Sequence, residues 1–256
     1  MQDSQEYQRR KAFFDRVITV YGRKPVLEAL RDKDLDCHAL HLADSNRPGG
    51  IIAEITDLAE ARGVPVQKHA RNALSRISKN GKQDQGVALD VLCPRFRSLE
   101  DYLASKPDGR QRLLALDGIS NPQNLGMIVR SAVAGAIDGI VLPAKGCAAP
   151  GPLVIKASAG TVYRAPIITC DTLPHALAQL AAAGTTICAL TGDAEQTLFE
   201  YEEPAQVAYL LGNETDGVSA SARDMAQLAL SIPMNNGVES LNVAVTASLV
   251  AYAGNL

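Results

Sequence analysis

Short apolar runs recur through residues 110–256, with helical stretches between most of them. They are Arg112–Leu116, Gly139–Leu142, Ala165–Ile168, Thr186–Leu190, Val207–Leu211 and Leu228–Ile232. This alternation predicts an α/β domain built on a mostly parallel sheet. Ligand sites in such sheets collect in the loops at the carboxyl ends of the strands. Three of those loops carry unusual polar residues.

The first half reads as a smaller α/β unit over residues 15–93. A helix is expected from Pro25 to Leu30, with Pro near its first turn, and another near Ile51–Ala61. Strands are expected at Ala39–Leu42, Val64–Gln67 and Gly86–Leu92. Residues 94–109 mix Pro, Ser and charges around one short helical pattern, Leu99–Ala104, and read as a linker. Residues 1–14 read as a disordered extension.

Composition narrows the function. No apolar run is long enough to span a membrane, and the polar start has no apolar signal-peptide core, so a cytoplasmic protein is expected. The five cysteines are scattered and no CxxC pairs with another, so neither a disulfide framework nor a metal site is indicated. His38 and His41 stand close together with no cysteine to complete a site, and read as ordinary strand or surface residues. GxGxxG, Walker A, HExxH and GxSxG patterns are absent.

The net charge of −3 conceals an asymmetry. Residues 110–256 hold 7 Lys and Arg against 12 Asp and Glu. Residues 62–82 hold Arg62, Lys68, Arg71, Arg76, Lys79 and Lys82 and no acid. That local basic stretch is the expected grip on a polyanion. Ser78–Gln85 reads as an exposed polar loop, so Arg76, Lys79 and Lys82 are the candidate phosphate contacts.

The first polar loop is Asn121–Arg130. If Gly126 opens a helix, Arg130 lies one turn further on the same face, on an otherwise apolar helix. It serves either a ligand or an ion pair between packed elements. The second, Leu210–Val218, follows a buried strand, and Gly212 and Gly217 bracket its polar residues, which suits close backbone approach. The third is Ile232–Ala253. Pro233 stops a strand, Asn235-Asn236-Gly237 is turn chemistry, and Val243–Ala253 is uncharged, expected as a helix buried on nearly all sides. Glu239, Ser240 and Asn242 then stand at the mouth of that helix, whose free N–H groups suit a ligand. The plainer reading is that Ser240 or Asn242 caps it.

NPxNxGxIxR, LLGNExxG and IPMxxxVESLNV, in that order and spacing, resemble the three motifs of the SpoU family of RNA ribose 2′-O-methyltransferases, within the SPOUT superfamily. Lys156–Gly160 followed by Pro166 also resembles a segment common in that family. YGRKPVLEAL and the later GVALDV strand resemble the small N-terminal RNA-binding domain of many members, itself similar to kink-turn-binding ribosomal proteins. Thr215 departs from the glycine that many members have.

The resemblance implies an N-terminal RNA substrate-binding domain followed by an α/β trefoil-knot methyltransferase domain. It implies S-adenosyl-L-methionine as cofactor, held by Thr191, Gly192, Leu211, Gly212, Glu214, Ile232, Pro233, Met234, Ser240 and Leu241. It also implies that Arg130, Asn124, Glu214, Ser240 and Asn242 surround the nucleotide, in a homodimer. Arginine is a poor base, since its pKa exceeds about 12. Arg130 is therefore expected to anchor phosphate and transition state, accepting a proton only when RNA is bound. Ribosomal RNA is the favoured target, with guanosine the favoured nucleotide. Transfer RNA is the alternative, and a non-catalytic RNA-binding or ribosome-assembly protein is the rival from another class.

Overall fold

The computed structural model describes residues 12–105, 107–213 and 215–253. The chain divides into two compact units, residues 1–94 and 95–256.

The first unit runs β1 (Val17–Tyr21), α1 (Arg23–Arg31), β2 (Asp36–Ala43), α2 (Gly50–Ala61), β3 (Val66–His69), α3 (Arg71–Ser78) and β4 (Val87–Leu92). The sheet order is β1-β4-β2-β3. β4 is antiparallel to both neighbours, and β2 and β3 are parallel, joined through α2. Two cations of the basic stretch work inside this fold. The Arg62 guanidinium donates to the carbonyls of Ala29, Leu30, Asp32 and Leu35, closing the open end of α1. Arg71 pairs with Asp84 and also donates to the Gly81 carbonyl. Asp84 is fully buried and accepts from Ser78 Oγ and the Gly86 amide, both at 2.9 Å. Residues 78–85 are therefore a folded turn around a buried carboxylate and not a loose polar loop.

His41 is a satisfied core histidine. Its Nε2 lies 3.1 Å from Asp90 Oδ2, and its Nδ1 lies 3.0 Å from His69 Nε2. Thr19 Oγ1 donates to the other Asp90 oxygen at 2.7 Å. Burial works to raise the Asp90 pKa, but the bonds from His41 and Thr19 prevail and hold it below the ordinary carboxylate range. Of the extension expected over 1–14, residues 1–11 lie outside the described residues, while the Phe13 ring rests 4.6 Å from His38.

The second unit runs β5 (Arg97–Ser98), α4 (Leu99–Ala104), β6 (Gln111–Leu116), α5 (Pro122–Ala134), β7 (Gly139–Pro143), α6 (Pro152–Ala157), β8 (Ile167–Cys170) and α7 (Leu173–Ala182). It continues with β9 (Thr186–Leu190), β10 (Gln206–Leu211), α8 (Ala220–Arg223), β11 (Leu228–Leu230) and α9 (Val243–Ala253). The sheet order is β11-β9-β10-β6-β7-β8-β5, and every pairing is parallel. All carboxyl ends therefore share one edge.

The segment expected as a linker, 94–109, departs from that reading. β5 pairs with β8, and Leu99 and Tyr102 of α4 enter the core of this sheet. Their apolar side chains decide the matter over the Pro and Ser around them. β11 is shorter than expected, because Ser231 bonds away from the sheet ladder to Gln196 and Leu198 at 2.9 and 2.8 Å. At this crossing the chain after β11 is tied to the 191–205 connection.

α9 lies alongside α5 in the same direction. Asn242 Nδ2 donates to Asn124 Oδ1 at 3.3 Å, Ser248 Oγ to Ser131 Oγ at 2.7 Å, and Tyr252 Oη to the Ala134 carbonyl at 3.4 Å. The helix buries Val243, Ala244, Ala247, Val250 and Ala251, but Val245 and Tyr252 are exposed. It is thus covered on one side and not on nearly all sides. At the other end of the sheet sits an ionic cluster. Arg112, with 3% of its side chain exposed, grips Glu203, with 10% exposed, through Nε and NH2. Arg112 also donates to the carbonyls of Ala136, Val250 and Ala251, while Arg110 and Tyr209 donate to Glu203.

Candidate active site

The carboxyl ends of β9, β10 and β11 and the approach to α9 enclose a cavity of about 500 Å³, a size suited to a cofactor. Thr191 and Gly192, Leu211 and Gly212, Ile232 and Met234, and Ser240 and Leu241 all line it. Pro233 is exposed and does not line it. Glu214 lies outside the described residues.

Gly212 and Gly217 of the second loop line this cavity, and Gly212 also serves the turn itself. A Cβ on Gly212 would fall 2.0 Å from the Gly217 carbonyl carbon. Asn213 and Gly217 exchange backbone bonds at 3.1 Å, and Asn213 Oδ1 accepts from the amides of Thr215 and Asp216 at 2.8 Å. Gly212 is therefore required by the turn's own closure. Thr215, where many members have glycine, is exposed.

α5 begins four residues before Gly126. Asn121 caps it, accepting from the Gln123 amide at 2.8 Å, and Pro122 occupies its first position, a favourable pairing at a helix start. Asn124 is thereby placed in the first turn, buried, facing Asn242. Asn242 Oδ1 accepts from the Ala244 amide at 2.9 Å, and its carbonyl accepts from Thr246 at 3.0 Å. Asn242 therefore caps α9, as the plainer reading expects, while its amide nitrogen is directed to Asn124. Ser240 and Glu239 are exposed at the cavity rim. Arg130 stands apart. It is exposed on the outer face of α5 with Met127, does not line the cavity, and forms no ion pair among the described residues.

Asn242→Ala should lower stability by about 1 kcal/mol through the lost cap, yet reduce turnover at least about tenfold, the factor that corresponds to ~1.4 kcal/mol of transition-state stabilisation. Thermal melting run beside single-turnover assays checks this. Activity that falls only in step with the folded fraction would leave Asn242 a cap and nothing more.

In the first unit, Arg76, Lys79 and Lys82 are all exposed. The fold adds cations that the linear charge run misses. Arg23 and Lys24 open α1, and Arg47 follows β2. Their loops are tied to residues 80–86. The Arg23 amide donates to Gln85 Oε1 at 3.0 Å, Asn46 Nδ2 to the Gly86 carbonyl at 2.6 Å, and Asn80 Nδ2 to Tyr21 Oη at 3.1 Å. Only the Arg-Lys pair at a strand–helix junction hinted at this in the sequence. Among the described residues, no cluster of His, Cys, Asp and Glu could hold a metal ion, and no helix is long and apolar enough to cross a membrane.

Comparison with known proteins gives two family matches: the SpoU rRNA methylase family over residues 111–252 and RNA 2′-O ribose methyltransferase substrate binding over residues 19–95. A Mycolicibacterium vanbaalenii protein named "uncharacterized tRNA/rRNA methyltransferase" is 35% identical over 233 residues, 90% of this chain and 74% of that protein. A Mycobacterium leprae protein of the same description is 35% identical over 237 residues, 92% of this chain and 76% of its own. The solved AdoMet-bound rRNA methyltransferase of Sinorhizobium meliloti superposes with a TM-score of 0.62 over 98% of this chain and 90% of its own. Its 22% identity makes that a likeness of fold.

Proposed function

As the chain belongs to the SpoU rRNA methylase family, and is thus an RNA methyltransferase, we propose that it moves a methyl group from S-adenosyl-L-methionine to a ribose 2′-hydroxyl of structured RNA. The observation that carries this reading is the cavity at the meeting of three strand-end loops, whose wall includes Ser240, Leu241 and Val243 on either side of Asn242, the residue that bonds Asn124. The lining fits the cofactor. Leu211, Leu230, Ile232 and Leu241 offer an apolar bed for adenine, and Asp193, Asp216 and Glu239 offer negative charge to its cationic groups. The AdoMet-bound Sinorhizobium meliloti structure of the same fold supports this choice, and the substrate-binding match over residues 19–95 supports the ribose 2′-position.

When bound, the cofactor supplies a methyl group already activated on a sulfonium. The protein's share is then placement, which can be worth roughly 7–11 kcal/mol, and help in losing the hydroxyl proton. Asn124 and Asn242 orient the ribose or base, and Ser240 at the rim hydrogen-bonds the nucleotide or relays the proton. Glu214 belongs to the same set by its motif. Arg130, whose planar guanidinium suits bidentate bonding to phosphate oxygens, anchors phosphate. Because Arg130 is exposed and does not line its own cavity, it reaches RNA across a homodimer in this reading. The exposed Met127 on α5 and Val245 and Tyr252 on the adjoining α9 form the apolar face such a dimer would cover. Sedimentation of a fully active monomer at micromolar concentration would refute the dimer requirement.

Ribosomal RNA is the proposed target, with guanosine the favoured nucleotide and transfer RNA the alternative. Labelled cofactor incubated with total RNA tests the activity. Absence of label in any RNA, with cofactor bound, would favour the non-catalytic RNA-binding reading. Mapping 2′-O-methyl sites in cells lacking the protein identifies the nucleotide.

Affinity for RNA is assigned to the first unit's cations. Each lost phosphate contact flattens the log–log salt dependence of binding by about 0.7–0.9. Replacing Arg76, Lys79 and Lys82 together by Gln should therefore reduce the slope by roughly two to three units, with cofactor affinity unchanged. Equal slopes for variant and wild type would move the grip elsewhere.

A further inference from the structure

The charges lining the cavity are uneven. Asp193, Asp216 and Glu239 are acidic, and among the described lining residues Arg223 alone is a cation. Arg223 closes α8, whose approach is fastened by the Ser219 amide donating to Asp117 Oδ2 at 2.6 Å. The guanidinium is thus carried on a fixed arm at the rim. Its only ion-pair partner among the described residues is Asp193, with NH2 3.2 and 3.5 Å from the two carboxylate oxygens. Both side chains are open to water, at 53% and 71% exposed. An ion pair so exposed contributes little to stability, so the fold does not depend on it, and another carboxylate can displace Asp193 at small cost.

The cofactor in the reading above carries one anionic group, the α-carboxylate of its methionyl arm, beside a cationic ammonium and a cationic sulfonium. A guanidinium matches a carboxylate through two parallel N–H bonds. We propose that Arg223 anchors the methionyl carboxylate of the cofactor, exchanging Asp193 for it on binding. Arg223 thereby selects for ligands that carry the amino-acid end. This assignment rests on the cofactor reading and adds a residue that lies outside the three sequence motifs.

The test is calorimetric titration of the full chain with two compounds, S-adenosylhomocysteine and 5′-methylthioadenosine. They share the adenosine thioether, but the second lacks the amino-acid end. Arg223→Gln should weaken S-adenosylhomocysteine about tenfold or more, the scale of one lost charge-assisted contact, and leave 5′-methylthioadenosine unchanged. Arg223→Lys should recover part of the loss. Equal weakening of both compounds would show that Arg223 merely holds the loop and would overturn the proposal, as would unchanged affinity for both. Wild-type protein that binds neither compound would overturn the cofactor reading itself, and this assignment with it.

Discussion

Arg130→Ala should abolish methyl transfer while folding and cofactor uptake persist. The side chain is exposed on α5, outside the cavity, and has no ion pair among the described residues. Its removal should therefore change stability by no more than about 0.5 kcal/mol. Any large effect on rate must then come from contact with RNA. Arg130→Lys retains the charge but loses the planar fork and should recover little. Single-turnover assays beside cofactor titration decide the matter. Retention of a tenth of the wild-type rate by Arg130→Ala would sink the assignment.

Glu203→Ala should produce the largest loss of stability, about 3–5 kcal/mol, because it leaves a buried charge without its partner. Arg112 keeps only 3% of its side chain in water. The paired change Arg112→Met with Glu203→Leu should restore much of the loss, since it removes both desolvated charges. Denaturant unfolding of the single and double variants tests this, and a double variant no more stable than Glu203→Ala would contradict it. The same residue sets a pH dependence. Burial works to raise the Glu203 pKa, but the bonds from Arg112, Tyr209 and Arg110 prevail and hold it below the ordinary glutamate value. Its contribution is therefore complete above that ordinary value and disappears as pH falls through the lower one. Acid unfolding curves of wild type and Glu203→Gln should converge at low pH.

The parallel sheet was legible because its strands are short continuous apolar runs between helices, and the three site loops follow those runs directly. The 94–109 segment was misread because the two residues of β5 carry no pattern, while Pro94, Ser98 and Pro107 imitate a linker. The start of α5 was misplaced because glycine is unfavourable inside a helix. At Gly126 that cost is required by packing, as a Cβ there would lie 2.5 Å from that of Ala157 on α6. Arg130 showed its residue type but not its direction, which depends on where the helix begins. Arg23, Lys24 and Arg47 join the basic surface only through the fold, being far from residues 79–82 in sequence. Arg223 lies outside every motif, so only its place on the cavity rim distinguishes it.

The pairing of α9 with α5 and with the Arg112 cluster has a kinetic consequence. The bonds that dock α9 join residues 117 to 139 positions apart. Long loops must close before any of them can form, and contacts so distant in sequence slow folding to the scale of milliseconds to seconds. Glu239, Ser240, Leu241, Val243 and Thr246 belong to the cavity wall and reach it only with this helix. During refolding, the ability to bind cofactor should therefore emerge later than the secondary structure of the sheet, and a ligand added early finds half a wall.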